Sequence, residues 1–283
     1  MLLRLGYDLE YNLPASVPMV SLLNLHPSRA ADARTPDLLR VEYLGPGDQP
    51  VGSSRPQNIH VDTYYDGFGN LCTRFLAPAG RIRLWNDFTI EEPGVAEPMP
   101  APDAPQLSVD QLPSDTLTFL LASRYCEVDQ LQPFADELFG HITGGAARVQ
   151  AICDWVQWKL QFGYGSSRPT KTAKEALTER TGVCRDFQHL ALTFCRCLNI
   201  PARYATGYLG DIRLPVSPSP MDFSAWFEAW IDGRWWAFDA RYNTPRIGRT
   251  LMAVGRDAAD VAITTAFGIA PLTKFAVISD EIV

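Results

Sequence analysis

Prolines stand at 93, 98, 100, 102 and 105, five within thirteen residues. Each fixes its φ and lacks a backbone donor, so this stretch can neither run through a sheet interior nor continue a helix. Over 92–115 it predicts a semi-extended linker or a strap lying on the surface. The chain on either side then reads as two parts, 1–91 and 116–283. Its 283 residues fit about two domains at the usual ~150 residues each.

The part before the prolines carries short apolar runs between turn signals. The runs are Met19 to Leu25, Val41 to Leu44, Ile59 to Tyr65, Leu71 to Leu76 and Ile82 to Ile90. Asp66-Gly67 and Gly69-Asn70 supply the positive φ that tight turns need. Regularly spaced strands without a helical period predict a β-sandwich over 1–91.

After the prolines the period changes. Val128, Leu131, Phe134, Ala135, Leu138 and Phe139 have the 3–4 spacing of one helix face, and Val149, Ile152, Trp155, Val156 and Leu160 repeat it. Thr172 and Glu175 form a capping box for a short third helix. A fourth carries the stripe Val183, Phe187, Leu190, Ala191, Phe194 and Leu198, and ends at Asn199 and Pro201. Strands follow at 202–208, 225–231 and 235–238, the last two joined by Asp232-Gly233, a two-residue hairpin signal. Helices followed by an antiparallel sheet make an α+β domain over 116–283.

Composition removes several classes of function. A net charge of −7 argues against nucleic-acid binding and against a polybasic membrane-surface protein. No run approaches the ~18 apolar residues of a membrane-spanning helix. The start, interrupted at once by charges, is too short for a signal peptide, so the expected compartment is the cytoplasm. Six cysteines are too sparse for a disulfide scaffold. Cys195 and Cys197, two apart on a helix, point in nearly opposite directions and cannot chelate together. With no metal-binding or phosphate-loop pattern, neither metal nor cofactor is expected.

Cys184 opens the fourth helix. Partial positive charge and unpaired N–H groups at a helix start lower a thiol's pKa and make it nucleophilic. In the hairpin, paired residue numbers sum to 465, so Trp226 opposes Asp239 and Ser224 opposes Arg241. Ser224 and Asp239 are then diagonal neighbours on one face, ~7–8 Å apart. A helix-start cysteine, a strand residue and an aspartate on the next strand is the layout of a Cys-His-Asp triad, with the base at position 224.

Thr-Gly-Val-Cys-Arg-Asp-Phe-Gln-His-Leu-Ala (181–191), Asn-Ile-Pro-Ala-Arg-Tyr (199–204), Gly-Tyr-Leu (207–209), Ser-Ala-Trp-Phe-Glu-Ala-Trp (224–230) and Phe-Asp-Ala-Arg-Tyr-Asn (238–243) together resemble the bacterial transglutaminase-like family. The resemblance implies a papain-like core preceded by the β-rich domain that often accompanies it. It also implies acyl transfer on amide bonds of a peptide or protein: a thiolate attacks the carbonyl, and an amine or water resolves the thioester. On this pattern Cys184 is the nucleophile, Asp239 the orienting acid, and Trp226 lines the cleft. Tyr242, just beyond the aspartate, is a further candidate to contact substrate.

The family's histidine maps to Ser224. A serine hydroxyl cannot act as a general base near pH 7 or reprotonate a leaving amine as an imidazolium does. Two functions stay open: a cysteine hydrolase or acyltransferase with an altered triad, and an inactive peptide- or protein-binding module using the same cleft. His189, five residues past Cys184, points about 140° away from it and is expected to pack. His26 and His60 lie in the first part, and His141 follows a helix end. Asp222, two residues before Ser224, could accept a proton weakly. Arg241, Arg246, Arg249 and Arg256 are expected on a solvated, ion-paired surface.

Overall fold

The computed structural model describes residues 1–47, 52, 55–215 and 220–282. The first half holds β1 (Leu2–Leu13), β2 (Val17–Ser21), β3 (Arg40–Gly45), β4 (Gln57–Asn58), β5 (Asp62–Tyr65), β6 (Leu71–Ala77) and β7 (Gly80–Glu91). Then come α1 (Val128–Phe139), α2 (Gly145–Lys159), β8 (Gln161–Phe162), α3 (Ala173–Glu179), β9 (Thr181–Gly182) and α4 (Cys184–Cys197). The chain ends with β10 (Ala202–Tyr208), β11 (Ser224–Ile231), β12 (Arg234–Phe238), β13 (Thr250–Gly255), β14 (Thr264–Ala266) and β15 (Leu272–Ile282). The architecture is α+β with antiparallel sheets; among the described residues only the short β8–β9 pair is parallel.

One sheet has the order β15-β1-β7-β3-β4 and another β14-β2-β6-β5. Both contribute to one apolar core, with Leu3, Leu5, Leu9 and Leu84 from the first and Met19, Phe75 and Ala77 from the second. Strand β1 shows why it forms: Leu3, Leu5, Tyr7, Leu9, Tyr11 and Leu13 are all buried, a strict period of two. Its other face carries charges that pair across the sheet, Arg4 with Asp87 at 2.6 Å and Asp8 with Arg83 at 2.7 Å.

The last strands return to these sheets. β15 pairs with β1 from Leu2↔Ile282 onward, and β14 pairs with β2. Residues 264–282, expected within the second part, thus complete sheets of the first. This pairing joins the two ends of the chain, so no local sequence signal announces it.

The third sheet, β12-β11-β10-β13, packs against α4. That helix is buried from Asp186 to Cys197, on every side and not along one stripe. Its Arg196 lies in the interior, where the guanidinium donates to the carbonyls of Ala202, Leu121 and Arg256 and to Ser123 Oγ. Coordination of every donor by carbonyl and hydroxyl oxygens is what permits a buried cation without a carboxylate in contact. The hairpin register is as the turn dictates, with Ile231↔Arg234 and Phe227↔Phe238. The Thr172–Glu175 capping box opens α3.

The proline-rich stretch lies along this second layer. Ala104 O accepts from the first N–H groups of α2, Gly145 and Ala146, and Pro105 O accepts from Asp232 N at the hairpin tip. No helix among the described residues is long and apolar enough to cross a membrane.

Candidate active site

Cys184 is the first residue of α4, and its position is set by the turn before it. Val183 N donates to Asp186 Oδ2 at 2.9 Å, closing the helix start. Asp186 also faces Arg185 at 3.1 Å, and Arg185 donates to Arg168 O. Of the six cysteines, all free thiols, Cys184 alone is not fully buried.

A cleft of about 100 Å³ opens over this helix start. Cys184, Ser224, Asp222, Arg241, Tyr242 and Phe162 line it. Ser224 reaches this wall because β11 begins there, paired with Gly207 of β10. A side chain at 207 would place its Cβ 2.0 Å from Thr250 O, so glycine is required for β13 to approach on the other side.

The electrostatics differ from the expectation of a primed thiol. Burial pushes the Cys184 thiol up to about 11. Arg241 and the Arg185 N–H oppose this, but Asp222 and Asp239 add to it. The Arg241 guanidinium carbon sits over Phe162, 3.7 Å from the ring centroid, and 4.5 Å from that of Tyr242. The helix start alone therefore does not outweigh the loss of solvent around the sulfur.

Asp239 sits at the end of β12, buried, with its carboxylate fully engaged. Oδ1 accepts from Gln188 Nε2 at 2.9 Å and from the N–H groups of Arg241 and Tyr242. Oδ2 faces Arg249 at 3.4 Å. Gln188 is one helical turn after Cys184, and its Oε1 accepts from Ala240 N, so one side chain ties the cysteine helix to the aspartate strand. Its i+4 spacing from Cys184 was visible in the sequence; its bond to Asp239 was not.

Arg246 and Arg249 are buried, contrary to the solvated surface expected for them. Arg249 bridges Asp239 and Glu97, the latter at 2.7 Å, and lies 4.8 Å from the Trp226 ring centroid. Glu97 belongs to the proline-rich stretch, and only the folded chain brings it here. Trp226 does not line the Cys184 cleft. It is buried beneath Arg249, beside a separate cavity bounded by Arg203, Trp235 and Trp236. Tyr242 does line the cleft.

The histidines stand elsewhere. His189 is buried, stacked on Tyr125 with ring centroids 5.1 Å apart, and its Nε2 accepts from Ala258 N. Burial holds it well below the usual histidine range, in the neutral form. His26 bonds Ser28, and His60 lies by Asp62 in the first half. No histidine lines the Cys184 cleft among the described residues.

A cysteine at the head of a buried helix, with an antiparallel sheet bringing an aspartate to its side, defines a papain-like, thiol-centred fold. The sequence model of the Transglutaminase-like superfamily matches residues 132–240. A solved structure from Cytophaga hutchinsonii, proposed to be a cysteine protease, superposes with a TM-score of 0.80 at 30% identity, covering 99% of this chain and 90% of that one. The chain belongs to the transglutaminase-like superfamily. An uncharacterized Mycobacterium leprae protein is 35% identical over 117 residues, 40% of this chain and 42% of that protein's length. The periplasmic domain of TgpA from Pseudomonas aeruginosa is more distant, at 16% identity and a TM-score of 0.41, over 85% of this chain and 90% of that one.

Proposed function

We propose that this protein is a cysteine-dependent hydrolase or acyltransferase acting on amide bonds of a peptide or protein, with Cys184 as nucleophile. The observation that carries this reading is the placement of the one partly open cysteine, at a helix start on the wall of a cleft. The Cys184 thiolate adds to the amide carbonyl, the amine leaves, and water or a second amine resolves the thioester. Asp239 holds the strand end and the Arg241–Tyr242 backbone in place beside the sulfur. Ser224 occupies the triad base position without supplying a base. Six free thiols suit a reducing compartment such as the cytoplasm.

A second reading, an inactive module that binds peptide or protein in the same cleft, is favoured by Ser224 together with a thiol held near 11. Exposure to p-nitrophenyl acetate separates them. The enzyme reading expects an acetyl group on Cys184, found by peptide mass spectrometry and absent from Cys184→Ala. No acetylation under conditions that modify a free cysteine peptide would leave only the binding module.

A further inference from the structure

Three kinds of side chain around Cys184 could move a proton: hydroxyls, phenols and carboxylates. Ser224 is a hydroxyl, and Tyr164 and Tyr242 are phenols, all poor bases near neutrality. Asp239 is saturated by Gln188, two backbone N–H groups and Arg249. Asp211, which also lines the cleft, lies 3.7 Å from the buried Arg246. Asp222 remains. It lines the same cleft as the sulfur. Its neighbour Phe223 is anchored in the core between Tyr208, at 5.2 Å, and Tyr7, at 6.1 Å, which pins the backbone of 222 against the cleft. Arg241 faces both Asp222 and Cys184, immobilised on Phe162.

We propose that Asp222 is the proton-transfer group of this site, taking the part that the absent histidine plays, with Arg241 as the fixed cation beside the developing charge. The proposal rests on the enzyme reading above. In acylation the Cys184 Sγ–carbon bond forms, the carbon–nitrogen bond breaks, and the thiol proton passes through the Asp222 carboxylate to the leaving nitrogen. In hydrolysis a water oxygen bonds to the thioester carbon, its proton goes to Asp222, the carbon–sulfur bond breaks, and the proton returns to Sγ. No other reactant is needed. Burial raises the Asp222 carboxyl against the Phe223 N–H and the pull of Arg241, which brings its basicity closer to the working pH.

The test follows the fate of the acetyl group rather than its arrival. Wild type and Asp222→Asn are acetylated with p-nitrophenyl acetate and freed of reagent. The adduct on Cys184 is then timed by mass spectrometry at pH 7.5. Loss of the general base is expected to lengthen its life by about a hundredfold. Iodoacetamide should still label Cys184 in the variant, which shows that the cleft remains formed. That combination does not arise from a damaged fold. Asp222→Glu should retain part of the deacylation. Asp222→Asn/Ser224→His, with an imidazole restored, should regain it.

Equal adduct lifetimes in wild type and Asp222→Asn would overturn the proposal and leave the enzyme reading standing. So would a wild-type adduct as durable as a peptide thioester. A wild type that takes no acetyl group would overturn both.

Discussion

The Arg249 guanidinium and the Asp239 carboxylate meet at 3.4 Å, both buried. In a Cys-His-Asp triad the aspartate accepts from the imidazole and orients it. Here a cation occupies one oxygen of that carboxylate, and Gln188 with two backbone N–H groups the other. Both Asp239 oxygens thus accept from groups other than an imidazole.

Arg249→Met should destabilise the protein by about 3–5 kcal/mol, because Asp239 would be left buried, and Glu97 half-buried, without their cation. Urea unfolding checks this. A loss below about 1 kcal/mol would mean that water reaches both carboxylates.

Gln188→Ala removes two hydrogen bonds, to Asp239 and from Ala240 N, and should cost about 1–3 kcal/mol. Gln188→Glu should cost more, since it sets a second negative charge against Asp239. Comparing the two denaturation midpoints tests whether the bridge senses charge or only packing.

The Cys184 thiol, held near 11 against an ordinary value of 9.0, should alkylate at a rate that climbs tenfold per pH unit from pH 7 to about 10, with no plateau at neutrality. Arg241→Gln should slow the reaction at pH 8, as the cation favouring the thiolate is gone. The linkage has a definite sign. The folded state holds this proton more tightly than the unfolded state. Its contribution to stability is therefore present below pH 9 and is lost as pH rises toward 11. A plateau near pH 6 would contradict all three expectations.

Ser224→His places an imidazole on the cleft wall that holds Cys184. Alkylation at pH 7 should rise by about tenfold, the effect of lowering the thiol by about one unit through a thiolate–imidazolium pair. An unchanged rate would show that Asp239, tied to Arg249, cannot orient the new ring.

Much of this was legible in the sequence because it is local. The hairpin turn sets its own register, the capping box sets α3, and Cys184 begins its helix after a turn that Asp186 closes. Features that depend on chain closure were not legible. Strand β1 has a clear alternation, yet its partner β15 lies at the other end of the chain. Arg246 and Arg249 read as surface charges until Glu97 and Asp239 are brought to Arg249, and Asp211 to Arg246. The helix-start argument for a reactive thiol was sound as a local effect, but burial is a property of the assembled fold and outweighed it.

The pairing of β15 with β1 has a consequence for synthesis. Strand β1 leaves the ribosome before β15, so its outer edge stays open until residues 272–282 have been made. An open, alternating edge strand is a template for pairing with other chains. During translation the nascent first sheet is therefore a risk that residues 264–282 remove, and a ribosome stalled before residue 264 would release a chain with both β1 and β2 unpaired on one side.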